Sequence, residues 1–249
     1  MKRSYWENIA PEYDEEIFDV RAQDKKGLIT KEINKIAGAD RSIVDIGCAV
    51  GKWLPVLSPA FKKVHAVDIS AKNLSIAKKN YPDLNNVSYQ RADMSSAKPP
   101  FSGFDVALCV NAILSDSLMK RQRFFYNINK SLKKDGHLVL VVPSLESWLL
   151  TRIIQHHWKI DKKLFQQKLP VVEAAKRYAD MQQGNVEIDD VATKHYLGDE
   201  LDLLLSRSGF ELVTRKKINY DWNTEFVEAP SWLQTPQPWD WMTVARKIK

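Results

Sequence analysis

One short stretch, residues 42–51 with the sequence SIVDIGCAVG, restricts the possible folds of this chain more than any other. The β-branched residues before Asp45 favour a buried strand, and the small residues after it favour a tight turn. The next residues are compatible with the first turn of a helix. Gly47 and Gly51 permit positive φ and let other atoms approach the backbone closely. A strand, a glycine turn and a helix N-terminus in this order indicate a site for a nucleotide-like ligand with an anionic group.

A second predicted strand, residues 64–69 with the sequence VHAVDI, also ends in a carboxylate. Asp68 follows Gly47 by 21 positions. An acidic side chain about 20 residues after the glycine turn meets ribose hydroxyls in Rossmann-like units. The dehydrogenase pattern G-x-G-x-x-G is absent, and the chain has D-x-G-x-x-x-G instead.

This pattern resembles the first motif of the class I S-adenosylmethionine (SAM) dependent methyltransferases, of the type that acts on small molecules. The resemblance spans about residues 40–143, in the usual order of that family. It is carried by residues 45–51, 64–70, 91–94, 104–111 and 132–139. It implies an α/β fold with a doubly wound, mostly parallel seven-stranded sheet, an antiparallel last strand, an N-terminal helical cover and an inserted helical cap. It also implies SAM as the cofactor and S-adenosyl-L-homocysteine (SAH) as its product.

The resemblance further implies cofactor-binding roles at the strand ends. Asp68 would accept hydrogen bonds from two ribose hydroxyls, because both oxygens of a carboxylate accept. Asp93 would accept from the adenine amino group, and Asp45 would bind the loop or, through water, the SAM ammonium. A loop-fixing role for Asp45 and a turn role for Asp93 remain as alternatives. The full set of expected cofactor contacts is Asp45, Gly47, Cys48, Ala49, Gly51, Asp68, Ile69, Asp93, Met94 and Asn111.

No residue stands out as a dedicated catalytic base. Methyl transfer from a sulfonium needs mainly alignment and desolvation, and a base is needed only when the nucleophile carries a proton. The candidates for orienting or deprotonating the acceptor are Tyr13, Asn111 and His195. The alternatives are that Tyr13 anchors a helix on the sheet, that Asn111 forms a turn, and that His195 is a solvated loop residue.

The predicted organisation is a single domain over residues 1–249 with four parts. These are a helical cover with two amphipathic helices (1–40), the SAM-binding core (41–143), an inserted helical lid (144–195) and the C-terminal part of the sheet (196–249). Strands are expected at Phe210–Tyr220 and Met242–Ile248. Between them lies a loop whose residues Trp222, Trp232 and Trp239 are expected to close the pocket or to pack on the lid.

Composition excludes several protein classes. With 44% hydrophobic and 27% charged residues, the chain has enough apolar material for a core, so disorder is not expected. No run approaches the roughly 20 apolar residues of a membrane span, and the first residues lack a secretory apolar segment, so we expect a cytoplasmic protein. Cys48 and Cys109 are expected to be free buried thiols. No metal site is predicted, because the adjacent His156 and His157 cannot face the same direction on a helix, and the group at 189, 190 and 195 is better explained as solvated loop residues.

The net charge of +6 and the pI near 9.1 are a mild basic excess distributed along the chain. The leading hypothesis, which rests on the aromatic side chains of the predicted lid, is a methyltransferase for a small-molecule acceptor at oxygen, nitrogen or carbon. Nucleic acid is disfavoured as a partner, no membrane partner is expected, and the protein is expected to be a monomer or a homodimer. A methyltransferase acting on RNA or protein and a non-catalytic SAM-binding module are the alternatives.

Overall fold

A seven-stranded sheet forms the centre of the structure, a computed structural model that describes residues 3–161, 170–188 and 191–249. The strands in chain order are β1 (Gly38–Ile46), β2 (Phe61–Asp68), β3 (Val87–Arg91), β4 (Phe104–Val110), β5 (Leu132–Pro143), β6 (Asn185–Ile188), β7 (Val191–Lys194), β8 (Phe210–Asn219) and β9 (Trp239–Lys247). Strands β6 and β7 form a separate hairpin, and the others form the sheet in the order β3-β2-β1-β4-β5-β9-β8.

Strands β3, β2, β1, β4 and β5 are parallel, whereas β9 pairs antiparallel with both β5 and β8. The central strand β4 has the bounds expected from its apolar run, and its residues 106–109 are buried because helices cover both faces of the sheet. The predicted α/β fold with an antiparallel last strand is confirmed. The last strand begins at Trp239, three residues earlier than predicted.

The helices cover both faces of this sheet. They are α1 (Arg3–Ile9), α2 (Tyr13–Glu16), α3 (Val20–Gln23), α4 (Leu28–Ile36), α5 (Leu54–Ala60), α6 (Ala71–Asn80), α7 (Leu118–Ser131), α8 (Leu145–Trp158), α9 (Val171–Gln182) and α10 (Gly198–Arg207). Ile43 packs with α4, α5 and α6 in one apolar cluster, and the next residue, Val44, packs with α7 and α10 in another. Neighbouring residues of a strand point to opposite faces, so the alternation along β1 builds both cores.

The N-terminal cover differs from the two helices that were predicted. It contains four short α-helices, and a 3₁₀ turn over Ala10–Glu12 separates the first two. Pro11 lies in that turn, where its missing N–H is tolerated, and Ile17 ends α2 in an extended conformation. Gly38 does not end α4, which stops at Ile36, but begins β1.

The segment 144–195 is not wholly helical in its described part. It contains α8 and α9, and then the β6–β7 hairpin, in which Asn185 pairs with Lys194. The hairpin was not predicted. Residues 189 and 190, considered above for a metal site, lie outside the described residues.

The tryptophans of the loop after β8 pack against α8. Trp222 stacks on Phe226 with 5.4 Å between ring centroids, and both belong to an apolar cluster with Ile154. Trp232 contacts Trp158 at 5.4 Å. These aromatic side chains therefore hold the loop on the segment that was predicted as a lid.

Candidate active site

A cavity of about 540 Å³ lies at the carboxyl ends of β1, β2 and β4, and we refer to it as the strand-end cavity. Open α/β sheets bind their ligands at this edge. Of the predicted cofactor residues, those that line it are Gly47, Cys48, Ala49, Asp68, Ile69, Asp93, Met94 and Asn111. The predicted residues Asp45 and Gly51 do not line it. The three strand ends and the turn after β3 therefore come together as expected.

The loop after β1 is shaped by positive φ angles at Gly47 (75°) and Ala49 (47°). The Gly47 N–H donates to the Val67 carbonyl at 2.8 Å, which ties the loop to β2. A Cβ atom on Gly47 would lie 2.5 Å from the Cβ of Ala112, in the loop after β4. Glycine is therefore required here by contact with the chain itself.

Glycine is required at position 51 as well, on the other side of the loop. Its φ is 87°, and an added Cβ would lie 2.8 Å from Leu54 and 3.1 Å from Ala77. Packing within the protein therefore accounts for this glycine, and its predicted cofactor contact stays a prediction. Gly51 allows the loop to pack on α6, because the close neighbours of its backbone are side chains of α5 and α6.

Asp68 is a buried carboxylate that the surrounding backbone holds in place. Its Oδ2 accepts from the Ala49 N–H at 3.0 Å, and its Oδ1 accepts from the Ser70 N–H at 2.8 Å. The Asn73 amide donates to the same Oδ1 at 3.4 Å. Burial raises the pKa of Asp68, and these hydrogen bonds oppose the shift. The carboxylate is thus fixed at the wall of the strand-end cavity.

Asp45 lies behind this wall and is only 2% exposed. Its Oδ2 is buried and has no hydrogen-bond partner among the described residues. Burial, with a smaller contribution from the charge of Asp68, raises the pKa of Asp45 to about 7. Burial also raises the pKa of the neighbouring Cys48 thiol, which therefore stays protonated.

The turn after β3 places Asp93 and Met94 at the cavity. Asp93 Oδ1 accepts from the Ser95 N–H at 2.8 Å and from the Ser95 hydroxyl at 2.7 Å. Met94 is buried, and the Asn127 amide donates to its carbonyl at 2.9 Å. The turn role considered for Asp93 is therefore present, and the same residue also lines the cavity.

Asn111, after β4, belongs to a buried hydrogen-bond chain that reaches the last strand. It adopts a positive φ of 46°, and its amide nitrogen donates to Asp240 Oδ2 at 3.2 Å. The Tyr220 hydroxyl donates to the same oxygen at 2.8 Å. Burial raises the pKa of Asp240 to about 6. The Oδ1 of Asn111 is buried and has no partner among the described residues.

The N-terminal cover is fixed over the cavity at two points. Glu7 accepts from the N–H groups of Ala71 at 3.0 Å and Lys72 at 3.2 Å, so it caps α6. These hydrogen bonds, the one from Ala71 first, lower the pKa of Glu7. Lys52, after the glycine loop, contacts Asp14 and Asp19 of the cover at 2.8 Å each.

Tyr13 is part of this cover and lines the cavity. Burial and the nearby charge of Asp68 raise the pKa of its hydroxyl far above neutrality. Tyr13 is therefore a protonated phenol at neutral pH and can donate a hydrogen bond.

Comparison with known proteins bears on this arrangement of strand ends. Residues 43–136 match the family model described as "Methyltransferase domain". Over this part the chain is similar to a methyltransferase domain. The resemblance seen in the sequence is thereby confirmed. The probable S-adenosylmethionine-dependent methyltransferase CRG1 of Saccharomyces cerevisiae is 30% identical over 142 residues, which are 55% of this chain and 43% of the yeast protein. The chain therefore spans less than half of the length of that relative.

Two solved structures share the fold of this chain. An S-adenosylmethionine dependent methyltransferase from Mesorhizobium loti has a TM-score of 0.64 at 19% identity, over 92% of this chain and 100% of the other. The N-methyltransferase NodS from Bradyrhizobium japonicum, in complex with SAH, has a TM-score of 0.62 at 13% identity, over 99% and 98%. At these identities the likeness establishes the fold alone.

The fold does not bring His195 to the strand-end cavity. His195 is 7% exposed, its N–H donates to the Gly184 carbonyl at 2.8 Å, and its Nδ1 lies 3.2 Å from the Thr193 carbonyl. Burial lowers its pKa to about 4, and the charge of Lys194 contributes. The ring is therefore neutral at physiological pH and sealed in the protein, so we exclude it from the candidate site.

Four residues that support the candidate site were not found by sequence reasoning: Glu7, Lys52, Tyr220 and Asp240. Their partners lie at least 20 positions away in the sequence, so no local pattern announces the contacts. Only Asp240 could have been suspected from the sequence, because it is a carboxylate beside a predicted apolar strand. Within residues 3–161, 170–188 and 191–249, no group of three His, Cys, Asp or Glu side chains could hold a metal ion, and no helix is long and apolar enough to cross a membrane.

Proposed function

We propose that this protein binds SAM in the strand-end cavity and transfers its methyl group to a small-molecule acceptor. The observation that carries the proposal is the covered cavity itself. Its volume of about 540 Å³ lies within the range of roughly 300–1,000 Å³ that is typical of small-ligand sites. A nucleic acid or protein acceptor would need a more open surface beside the cofactor. The helices α1 to α3 and the β6–β7 hairpin instead contribute residues to the lining.

The residues of the cavity fit an adenosyl cofactor. Asp68 offers a carboxylate for the ribose hydroxyls, and Asp93 offers one for the adenine amino group. Ile69 and Met94 supply apolar surface for the two faces of the ring. The buried and unpartnered Oδ1 of Asn111 shows that the polar capacity at this edge is not fully used by the described protein. When bound, SAM supplies a methyl group on a sulfonium with a good leaving group.

We assign supporting roles to Asp45 and Gly51. Neither lines the cavity, so neither is assigned a direct cofactor contact. Asp45 is buried behind the glycine loop, close enough to Asp68 for their charges to interact. Gly51 keeps the loop packed on the protein. The cofactor contacts are then the loop from Gly47 to Ala49 and the three strand ends.

The chain itself contributes alignment and exclusion of water. Asp240 accepts from the Asn111 amide nitrogen, which fixes the orientation of that amide. Tyr13 cannot act as a base at neutral pH, because its pKa is raised by burial, so we assign it hydrogen-bond donation. Glu7 and Lys52 hold the cover against the cavity and so limit the access of water.

Transfer of an isotopically labelled methyl group tests this proposal. The protein is incubated with labelled SAM and, separately, with the small-molecule, RNA and protein fractions of a cell extract. We expect label in the small-molecule fraction only, and its loss with the variant Asp68→Asn. Label in RNA or protein would support a macromolecular acceptor instead. SAM binding by calorimetry without any transfer would indicate a binding module.

A further inference from the structure

Arg121, on α7, is a buried cation without an anionic partner among the described residues. It is 6% exposed, and its Nη1 donates to the carbonyls of Ser115 at 2.7 Å and Asp116 at 2.8 Å. Among the ion pairs of the described chain, none includes Arg121. Arginine is rarely buried in this way unless it is paired, because removing a charge from water is costly.

The free part of the guanidinium is the edge formed by Nε and Nη2. An arginine has five N–H donors, and Nη1 carries the two that face Ser115 and Asp116. The donors on Nε and Nη2 have no partner in the described chain. Neither Nε nor Nη2 is among the buried polar atoms of the described chain that lack a hydrogen-bond partner, so both nitrogens are accessible to solvent. Such an edge matches the two oxygens of a carboxylate or a phosphate.

Arg121 lines the strand-end cavity together with Lys120, Ser115 and Phe124. Its position is held by the loop after β4, and the hairpin in turn holds that loop. The N–H of Lys194 donates to the Leu114 carbonyl at 3.1 Å. The loop that begins at Asn111 thus holds Arg121 of α7 at the wall of this cavity.

Glu200, an acidic side chain that lines a cavity together with Arg121, is already engaged. Glu200 contacts the buried Lys194 Nζ through both oxygens, at 2.7 and 2.8 Å. Across the cavity, Lys52 is likewise neutralised by Asp14 and Asp19. Lys120, next to Arg121, is exposed and forms no ion pair with the described residues. The cationic corner at 120–121 therefore has unused positive charge that points to an anionic ligand.

We infer that Arg121 and Lys120 form a subsite for an anionic group, a carboxylate or a phosphate, on the methyl acceptor. Phe124 adds apolar surface for the body of the same molecule. The inference rests on the proposed function in one respect, namely that acceptor and cofactor share the strand-end cavity. It makes the acceptor an organic acid or a phosphate ester, with no assignment of the methylated atom.

Arg121 also lines a second cavity, of about 500 Å³, between α7 and α10. Lys130 lines that cavity and not the first, whereas Lys120 lines the first and not the second. The pair Lys120→Gln and Lys130→Gln therefore tells which of the two cavities binds the anion. Arg123→Gln, an exposed residue of the same helix, controls for the loss of one positive charge.

Calorimetry with three probes tests the subsite on the SAH-saturated full chain. Benzoate and phenyl phosphate carry the two anionic groups, and benzamide is the neutral counterpart. We expect at least one anion to bind at least tenfold more tightly than benzamide, and the tighter anion identifies the class. Arg121→Gln should weaken that binding at least tenfold and Lys120→Gln several-fold. Arg123→Gln and Lys130→Gln should leave it unchanged.

Four results would overturn the inference: equal binding of benzamide and the anions, no binding of either anion to the wild type, an unaffected Arg121→Gln variant, or weakening by Lys130→Gln in place of Lys120→Gln. SAH affinity is measured in parallel for each variant and should be unchanged, which shows that the cofactor site is intact. If Arg121→Gln does not fold, Lys120→Gln decides the question. Absence of SAH binding to the wild type would refute the proposed function instead, and the anions are then titrated without SAH.

Discussion

The substitution Asp68→Asn tests the ribose assignment most directly. Hydrogen bonds to a charged partner contribute about 1.5–3 kcal/mol, against about 0.5–1.5 kcal/mol for neutral pairs. Replacing the carboxylate by an amide at two ribose hydroxyls should therefore cost about 2–3 kcal/mol of binding free energy. Since about 1.4 kcal/mol corresponds to a factor of ten, we expect SAH to bind roughly 30- to 150-fold more weakly.

Asparagine is preferable to alanine at this position because of the contacts within the protein. The Asp68 carboxylate accepts from the N–H groups of Ala49 and Ser70. Alanine would leave both donors buried without a partner, at about 1–3 kcal/mol each, and so would combine a folding defect with a binding defect. Asparagine keeps one oxygen acceptor and nearly the same shape.

Calorimetric titration with SAH, together with urea unfolding, provides the assay. The matched control is Asp105→Asn, because Asp105 also accepts from a backbone N–H, that of Ser42 at 2.8 Å, but does not line the cavity. The control should lose stability and keep its SAH affinity. An Asp68→Asn protein whose SAH dissociation constant stays within about threefold of the wild type would refute the ribose assignment.

Three further predictions concern the loop, its buried carboxylate and the cover. Gly51→Ala should destabilise the fold by about 2–4 kcal/mol in urea unfolding, because φ is 87° and the new Cβ would lie 2.8 Å from a leucine side chain. The control is Gly103→Ala, where φ is 90° and an added Cβ would have no atom within 4 Å, so only the backbone strain should reduce stability. Equal losses of stability in the two variants would contradict the packing argument. The pKa of Asp45 is raised to about 7 in the folded protein, so its contribution to stability is present below the unfolded value of about 3.9 and is lost as the pH rises to about 7. Asp45→Asn should abolish this dependence of stability on pH and should be more stable than the wild type at pH 8, by up to about 4 kcal/mol. Equal free energies of unfolding of the wild type at pH 5 and pH 8, measured in urea, would contradict the prediction. Glu7→Gln should weaken SAH binding several-fold in calorimetry, because it loosens α1 from α6. The control Glu12→Gln, at an exposed neighbour, should leave SAH binding unchanged. Equal effects of the two variants would argue against the role of Glu7 as the cap of α6.

Local patterns predicted the parts of the fold that are locally encoded. Phe104–Val110 was recognised as β4 with its observed bounds, because a continuous apolar run has few alternatives to a buried strand. The cover was predicted less well. Its apolar spacing suggested two helices, but a 3₁₀ turn with Pro11 and an extended Ile17 divide the first of them. The spacing of apolar residues does not reveal where the chain must turn in order to follow the surface of the core.

The site shows the same division between local and distant information. Asp68 and Asp93 were placed correctly at the cavity wall, because the end of a strand is a local property and parallel strands end at one edge. The cofactor contact predicted for Gly51 stays a prediction, because a glycine needed for packing and one needed for a ligand look identical in sequence. His195 was excluded only when its burial was known.

The sequence by itself determined the class of fold, the order of the cofactor motifs and the carboxylates at the strand ends, because these depend on residues close together in the chain. Only the tertiary structure decided which groups pair and which do not. The hydrogen bond from Asn111 to Asp240 joins residues 129 positions apart. The absence of a carboxylate partner for Arg121 among the described residues likewise becomes evident only from the folded structure. Both are consequences of burial, since a polar group needs a partner only when water has been excluded from it.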